Sequence, residues 1–306
     1  MAPRFFCLTM KQINTYHRQL NCAGKILDLS SPAVMGILNL TPDSFSDGGQ
    51  LYSSDQLNDS KILAKVEKML ADGADVIDLG GESTRPGADS VSVQEELDRV
   101  IPVLELLCNR FDTFFSIDTS THQVMTEAAR VGAHLINDVR ALGRDGALEA
   151  AAQTGLPICL MHMQNDPKSM QANPQYSDVV KEVIGFLKQR KQQCIRAGIQ
   201  EEQLLLDPGF GFGKTLTHNL ALFDALDLLA QQGHPLLVGV SRKSMIGQLL
   251  DSDVNDRLIG SVTMAVLAAQ RVQAIGGSVI LRVHDVKETV QALTILRRVK
   301  KSEGNR

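Results

Sequence analysis

Short apolar runs rich in Val, Ile and Leu recur along the chain from residue 34 onward. Near-continuous runs of this kind are typical of strands that are buried on both faces, as in a parallel sheet. The segments between them repeat apolar residues at spacings of three and four, for example Ile62, Val66 and Met69, which predicts amphipathic helices. The eight runs are VMGILNL (34–40), DVIDLGG (75–81), FFSIDT (114–119), HLINDV (134–139), PICLMH (157–162), LLLDPG (204–209), PLLVGVS (235–241) and VILRVHD (279–285).

Strand and helix alternate strictly through these eight units, and this order predicts a (β/α)8 TIM barrel in a single domain. A doubly wound parallel sheet is the alternative, because the number of strands does not show that a sheet closes. We expect a short, loosely ordered N-terminal extension over residues 1–24, since chain termini are often poorly tied down. The barrel is expected over 25–300, followed by a C-terminal tail over 301–306.

Polar residues stand at the C-terminal side of every apolar run. In a closed barrel these positions converge on one mouth, which is where such folds place their chemistry. Polar residues also end strands simply as turn formers, but isolated charges are rarely kept beside apolar runs without a partner. We therefore predict a functional site at the mouth. The strand-end residues are Asn39, Glu82 with Thr84 and Arg85, Asp118, Asn137, His162, Asp207, Arg242 with Lys243, and Arg282 with His284.

Composition and charge narrow the class of protein. The net charge is -4 and Lys and Arg are spread along the chain, which gives no electrostatic footprint for nucleic acid. No apolar run approaches the roughly 18 residues that a membrane span requires. The five cysteines are scattered and form no C-x-x-C pair, so they predict neither a disulfide framework nor a zinc site. A reducing, cytoplasmic location is expected.

The segment DPGFGFGKTLTHN (207–219) is close to a phosphate-binding loop but fails the motif. Pro208 stands where a Walker loop needs its first glycine, and the alternating glycines do not match G-x-G-x-x-G either. What remains is a strand that ends in Asp207 and a turn with two exposed aromatic residues, Phe210 and Phe212. Phe212 either packs in the core or faces a ligand.

Two motifs near the C-terminus place cations at strand ends. SRKSMIG (241–247) combines two cations and two hydroxyls where a helix starts, a position that suits an anion. Arg242 can equally belong to a solvated basic turn. In RVHD (282–285), Arg282 and His284 share one side of the strand and face either the mouth or the helices. Two polar groups on one side favour the mouth.

The chain shows no Ser-His-Asp order, no H-E-x-x-H motif and no Cys-His cluster. The convergent set offers carboxylates, amides, cations and an imidazole instead. A buried carboxylate can accept two parallel N–H bonds from an aminopyrimidinone edge, and an amide supplies a donor and an acceptor together. The combination suits a planar heterocycle at the base of the site and an anionic leaving group at its rim.

Eight motifs, in order and spacing from about Lys25 to Arg298, resemble those of the bacterial dihydropteroate synthases. The resemblance implies condensation of 6-hydroxymethyl-7,8-dihydropterin pyrophosphate with 4-aminobenzoate in folate biosynthesis, by dissociative substitution at the pterin methylene. It also implies Mg2+ as cofactor, inhibition by sulfonamides, and a homodimer that packs through helix 258–270. The motifs are GILNLTPDSFSDGG, DLGGESTRPGA, SIDT, INDV, LMHMQ, LLLDPGFGFGK, VGVSRKSMIG and RVHDVKET.

The resemblance further implies roles for individual residues. The pterin-binding residues are Asp118, Asn137, Asp207, Lys243 and Arg282. The aminobenzoate-binding residues are Phe45, Thr84, Arg85, Pro86, Phe212 and Ser244. The pyrophosphate-binding residues are Asn39, Arg85, Arg282 and His284, and Asn39 is also the metal ligand. The catalytic residues are Asn39, Asp118, Lys243, Arg282 and His284.

Two other functions are compatible with parts of the pattern. A pterin-dependent methyltransferase would share the D-x-G and N-D strand ends, but it would not need TPDSF, SRKS and RVHD together. A catalytically silent pterin-binding paralogue would be expected to have lost some of the residues that the reaction requires. Asn39, Arg85, Lys243 and His284 are all present.

Overall fold

The computed structural model describes residues 18–41, 51–53, 56–84, 87 and 91–303. The strands are β1 (Gln19–Cys22), β2 (Lys25–Asp28), β3 (Ala33–Asn39), β4 (Tyr52–Ser53), β5 (Gln56–Leu57), β6 (Val76–Gly80), β7 (Phe114–Asp118), β8 (Leu135–Asp138), β9 (Ile158–Met161), β10 (Leu204–Asp207), β11 (Leu236–Val238) and β12 (Val279–Val283). The helices are α1 (Asp59–Ala71), α2 (Val93–Arg110), α3 (His122–Val131), α4 (Ala147–Thr154), α5 (Val179–Arg196), α6 (Leu216–Asp224), α7 (Leu226–Ala230), α8 (Ser244–Leu250), α9 (Leu258–Ala274) and α10 (Val286–Glu303).

Eight parallel strands close into a barrel in the order β3, β6, β7, β8, β9, β10, β11, β12. The last strand pairs with the first, with Leu281 of β12 beside Val34 of β3. This pairing confirms the predicted (β/α)8 barrel and excludes the doubly wound sheet, which would have two free edges. Each of the eight apolar runs contributes one barrel strand. The runs are apolar because each strand is covered on both faces, which leaves few positions for polar side chains.

The N-terminal end of the barrel is covered by the β1–β2 hairpin. Leu20, Cys22 and Leu27 of this hairpin are buried in the same apolar cluster as Ala33 and Val76, which begin two barrel strands. A second apolar cluster lies between the barrel and its helices. The hairpin therefore closes the end of the barrel opposite the predicted site.

Both predicted domain boundaries need correction. Residues 19–24 belong to the hairpin, in which Leu20 pairs with Leu27, and so they are not a loosely ordered extension. Two four-residue strands joined by a tight turn are too short for their alternation to stand out in the sequence. At the other end, α10 continues to Glu303, so residues 301–303 extend a helix and are not a tail. Residues 1–17 and 304–306 lie outside the described part of the chain.

Across the described ranges, no helix is both long enough and apolar enough to cross a membrane.

Candidate active site

A cavity of about 480 Å³ opens at the barrel mouth, where the strands reach their C-terminal ends. Its lining joins side chains from five different strand ends, as the closed barrel requires. The structure thus brings together seven of the residues to which the resemblance assigns a role. They are Asn39, Thr84, Phe212, Lys243, Ser244, Arg282 and His284.

Below this lining, the guanidinium of Arg282 lies between two carboxylates. Its Nε is 2.6 Å from Oδ2 of Asp78, and its Nη2 is 2.9 Å from Oδ2 of Asp118. The amide of Asn137 donates to the same Asp78 oxygen at 3.3 Å. The predicted pterin-binding residues Asp118 and Asn137 are therefore tied to each other through Arg282 and Asp78.

Asp78 is a site residue that the sequence reasoning missed. It lies inside the run DVIDLGG, two residues before the end of β6, and its side chain is fully buried. The prediction considered only polar residues at strand ends. The sequence did contain a signal for Asp78: it is a carboxylate within a run that is otherwise apolar. A buried charge requires a partner, so such a residue is expected to pair with another polar group.

Burial and neighbouring charges shift the pKa values of three residues, Asp118, Asp207 and Lys243. Burial raises the pKa of Asp118 to about 7, although the Arg282 charge opposes the rise and Asp78 adds to it. Burial likewise raises the pKa of Asp207, while the Lys243 charge holds it down. Burial lowers the pKa of Lys243 to about 8, against the attraction of Asp207. These groups are mutually compensating charges: burial disfavours each charged form, and the neighbouring opposite charge favours it.

The turn after β10 forms one wall of the cavity. The Phe212 ring lines the cavity, and Lys243 Nζ lies 4.6 Å from its centroid. Lys243 also donates a hydrogen bond to the Phe210 carbonyl. The prediction that Phe210 is exposed is wrong: its ring is fully buried and packs on Phe223, with the ring centroids 5.9 Å apart. The two aromatic side chains of this turn therefore lie on opposite sides of it, Phe210 in the core and Phe212 in the cavity lining.

The rim near β11 and β12 is fixed by side-chain pairs. Arg242 donates from Nε to Asp285 Oδ2 at 3.0 Å, so of the two alternatives left open for Arg242 the structure shows an ion pair and not a solvated basic turn. Ser241 Oγ lies 3.1 Å from His284 Nδ1 and accepts from the His284 backbone N–H at 3.2 Å. These contacts orient His284 and Arg242 at the cavity edge.

Glu82, the strand-end acid of β6, also lines the cavity. Its carboxylate accepts from Arg140 at 2.9 and 3.1 Å and from Arg144 at 3.1 Å, and its side chain is nearly buried. It therefore anchors the chain just before Thr84. Three other predicted site residues, Phe45, Arg85 and Pro86, lie outside the described residues.

The resemblance implies a Mg2+ ion at Asn39. Asn39 ends β3 and lines the cavity, so it brings an amide oxygen, a hard ligand of the kind that Mg2+ accepts. The described residues contain no group of three or more His, Cys, Asp or Glu side chains that could hold a metal ion. The donor set fits an ion held mainly by substrate phosphate oxygens and water, with Asn39 as a protein ligand.

The barrel and the chemistry of its mouth together define the class of protein. The chain belongs to the family described as pterin binding enzyme, whose model matches residues 35–284. That range runs from the first barrel strand, β3, to the residue after the last, β12, and includes every residue that the sequence assigns to the site.

Within this class, the relatives of the chain are dihydropteroate synthases. The enzyme of Haemophilus influenzae is 53% identical over 277 residues, which cover 90% of this chain and 97% of the relative. The structure of the Yersinia pestis enzyme in a sulfonamide drug complex is 54% identical, with a TM-score of 0.87, over 92% of this chain and 99% of that one. The structure of the Xanthomonas albilineans enzyme with 4-aminobenzoic acid is 46% identical, with a TM-score of 0.83, over 93% and 98%. The resemblance inferred from the eight motifs is confirmed.

Proposed function

We propose that the protein is a transferase that condenses 6-hydroxymethyl-7,8-dihydropterin pyrophosphate with 4-aminobenzoate, giving 7,8-dihydropteroate and pyrophosphate in folate biosynthesis. The relatives named above support this activity. The observation that carries it is a group of polar side chains linked to two cations of the cavity lining, Arg282 and Lys243. Asp118 pairs with Arg282 at 2.9 Å, buried Asn137 is joined to Arg282 through Asp78, and the Lys243 charge acts on buried Asp207. These residues form the proposed floor of the site. Such a floor suits a planar ring with many hydrogen-bonding groups.

The pterin ring is proposed to bind at this floor. The Asp207 carboxylate accepts from the aminopyrimidinone edge, because a buried anion gains most from paired N–H donors. Asn137 matches a ring position where a donor and an acceptor are adjacent. Lys243 donates to a ring oxygen or nitrogen, Arg282 covers the ring face, and Asp118 accepts a further ring N–H.

The reaction needs no nucleophile or general base on a side chain. The C–O bond between the pterin methylene and pyrophosphate breaks, and its electron pair leaves with pyrophosphate. The electron-rich ring delocalises the resulting cation until the aminobenzoate nitrogen forms the new C–N bond and gives up a proton to the released pyrophosphate. Arg282, His284 and Asn39 stabilise the departing anion, so catalysis rests on positioning and preorganised charge. Mg2+, when bound, supplies further neutralisation of the pyrophosphate charge.

Aminobenzoate is proposed to lie against the wall formed by Phe212, Thr84 and Ser244, all of which line the cavity. A flat aromatic ring packs well on a phenyl ring in an offset or edge-to-face arrangement. Sulfonamides, which mimic aminobenzoate, are proposed to compete at the same wall. The sulfonamide complex of the Yersinia pestis relative supports this assignment.

The activity is tested by incubating the protein with the pterin pyrophosphate, Mg2+ and labelled 4-aminobenzoate. Labelled dihydropteroate and pyrophosphate should form in equal amounts, and a chelator should slow the reaction. Pyrophosphate release without labelled product would indicate hydrolysis instead. Tight pterin binding without any turnover would indicate a silent binding protein, and methyl transfer from methyltetrahydrofolate to a corrinoid would identify the methyltransferase alternative.

Pterin affinity is expected to weaken as the pH falls through about 7. Burial raises the pKa of Asp118, so in the free protein this carboxyl takes up a proton below that pH and can no longer accept the ring N–H as an anion. Well below the pKa, the loss approaches about tenfold per pH unit. Calorimetric titration with 6-hydroxymethylpterin, which carries no phosphate, measures the effect between pH 6 and 8. Asp118→Asn should bind weakly at every pH, and a wild-type affinity that is constant across this range would contradict the role of Asp118.

A homodimer is proposed to form through the face made by α8 and α9. Ile259, Leu267 and Leu250 are 74%, 42% and 52% exposed on these helices. A Cβ at Gly260 would lie 2.9 Å from Leu250 Cδ1, so the end of α8 packs against the first turn of α9, and both helices carry exposed apolar side chains. An exposed patch of this kind marks an interaction site more often than isolated apolar residues do.

Light scattering is expected to give twice the mass of one chain for the wild type. The double variant Ile259→Asp with Leu267→Asp should be monomeric, because each buried carboxylate would lack a partner. Val93→Asp is the matched control, since Val93 is 41% exposed on α2, away from this face. A monomeric wild type, or a dimer that survives the double substitution, would contradict the proposed interface.

A cytoplasmic location is also proposed. Cys22, Cys108, Cys159 and Cys194 are unpaired, as expected in a reducing compartment. Burial raises the pKa of Cys194 to about 11, so this thiol stays protonated and unreactive at neutral pH.

A further inference from the structure

Lys214 is a buried cation that lies outside the lining of the cavity. The residue is 3% exposed, and its ammonium donates to the carbonyls of Gly209 at 2.9 Å and Phe212 at 3.0 Å. Nδ1 of His162 lies 2.9 Å from the same Nζ. The His162 carbonyl oxygen is a further acceptor, at 3.3 Å. An ammonium has three N–H donors, and here four acceptors surround it. The geometry is that of a clamp inside the turn 208–213.

His162 is suited to the acceptor role in this clamp. Burial and, to a smaller extent, the Lys214 charge lower its pKa to about 3, so the imidazole is neutral. Its ring packs edge-on against Phe186, with the centroids 5.0 Å apart. A neutral ring that points Nδ1 at an ammonium accepts a hydrogen bond there and carries its proton on Nε2.

The turn that Lys214 holds lies close to the segment after β9. A Cβ at Gly209 would be 1.8 Å from the His162 carbonyl oxygen, and a Cβ at Gly213 would be 2.6 Å from that of Gln164. Both glycines have positive φ, at 69° and 63°. A glycine-rich turn loses much backbone entropy when it is ordered, so it needs contacts of its own to stay in one conformation.

The other side of this turn belongs to the cavity. Phe212, whose carbonyl accepts from Lys214, sends its ring into the cavity lining. The Phe210 carbonyl accepts from Lys243. Lys214 therefore touches the backbone of the residue that carries the aromatic wall, while remaining shielded from the cavity itself.

A cation in this position is costly for the fold. Burial lowers the pKa of Lys214 to about 7, although the Asp207 charge works against this. An apolar side chain of similar volume at a buried ionic position is often neutral or stabilising for a protein. The satisfied geometry, combined with this cost, indicates a role in holding the turn beyond stabilising the fold.

We propose that Lys214 and His162 are positioning residues that hold Phe212 in the orientation required by aminobenzoate, and so set the KM for the second substrate. This inference rests on the proposed function. Neither residue touches substrate; both act through the backbone of the turn.

Lys214→Met tests the proposal, because methionine has similar length and no donors. The KM for aminobenzoate should rise on the order of tenfold or more, as expected when a reacting partner is displaced by a fraction of an ångström. The Kd of 6-hydroxymethylpterin should change far less. Lys191→Met is the control, since Lys191 is also a paired lysine, bonded to Glu201 at 3.0 Å on the surface. The control should match the wild type in both measurements.

His162 provides a second pair of variants that does not depend on the folding of Lys214→Met. His162→Asn keeps an acceptor oxygen near the Nδ1 position and should retain most of the aminobenzoate affinity. His162→Phe keeps a ring without an acceptor and should raise the KM in the same direction as Lys214→Met. Equal effects of these two variants would contradict the clamp.

A double-mutant cycle decides whether Lys214 acts through Phe212. If it does, Lys214→Met combined with Phe212→Leu should cost little more than the larger single substitution. Additive effects on KM, or a loss of pterin affinity that matches the loss of aminobenzoate affinity, would overturn the proposal and leave Lys214 a general structural residue. Failure of the proposed function would differ, because the wild type itself would then form no dihydropteroate.

Discussion

Replacing Arg282 with leucine is expected to lower the free energy of unfolding by about 3–5 kcal/mol, because removing one partner of a buried ion pair leaves the other charges uncompensated. Here the remaining charges are Asp78, which is fully buried, and Asp118. Synthase activity should fall by on the order of 100-fold or more, as when preorganised charge at a departing anion is removed. Urea denaturation at pH 7.5 measures the first effect, and the labelled aminobenzoate assay the second.

The stability loss should be partly reversed in the double variant Arg282→Leu with Asp78→Asn, because the amide carries no charge that needs a partner. Activity should not return, since the cation is still missing. Arg271→Leu is the matched control: Arg271 pairs with Asp224 at 2.7 Å on the surface, and such pairs are worth about 1 kcal/mol or less. If Arg282→Leu lowered the free energy of unfolding no more than this control does, the ionic group of Arg282, Asp78 and Asp118 would not stabilise the fold.

Asp207→Asn is expected to weaken pterin binding by roughly 1.5–3 kcal/mol, the value of a hydrogen bond that involves a charged group. The fold should tolerate the change, because the carboxamide oxygen can still accept from the Gly209 N–H, which now bonds to Asp207 Oδ1 at 2.7 Å. The new amide N–H groups would instead face the donors of the aminopyrimidinone edge.

Calorimetric titration with 6-hydroxymethylpterin measures this loss, and Asp59→Asn on the exposed first turn of α1 is the control. The KM for aminobenzoate at saturating pterin pyrophosphate should stay within about twofold, since Asp207 is assigned to the pterin ring and its one bond to the turn that carries Phe212, from the Gly209 N–H, is kept by the carboxamide. An unchanged pterin affinity would rule out the proposed contact with the ring. If only the KM for aminobenzoate changed, Asp207 would contact aminobenzoate and not the pterin ring.

The barrel could be predicted because its strands are covered on both faces, which leaves each one visible as an apolar run. The β1–β2 hairpin could not, since each of its strands has four residues and buries only one or two of them firmly. Phe210 and Phe212 looked equivalent in the sequence. Only the left-handed turn between them determines that one packs in the core and the other lines the cavity.

The sequence predicts which residues lie at the site better than it predicts which residues pair with one another there. Parallel strands bring their C-terminal ends together, so Arg282 and His284 could be expected at the mouth. The pairing of Arg282 with Asp118 and Asp78 joins residues 164 and 204 positions apart, and no local pattern encodes such a contact. Lys214 was passed over together with the failed Walker motif, because its role depends on acceptors that only the folded turn supplies.

The close approach at Gly209 and Gly213 limits how this enzyme can change under selection. Any side chain at either position would collide with a carbonyl oxygen of the neighbouring segment, on top of the strain of a positive φ. A lineage exposed to a drug that binds against this wall therefore cannot remodel it by substituting its glycines. Substitutions that reduce drug binding are expected instead at Phe212, or at residues such as Ser244 at the start of α8, where a new side chain alters the fit without breaking the turn.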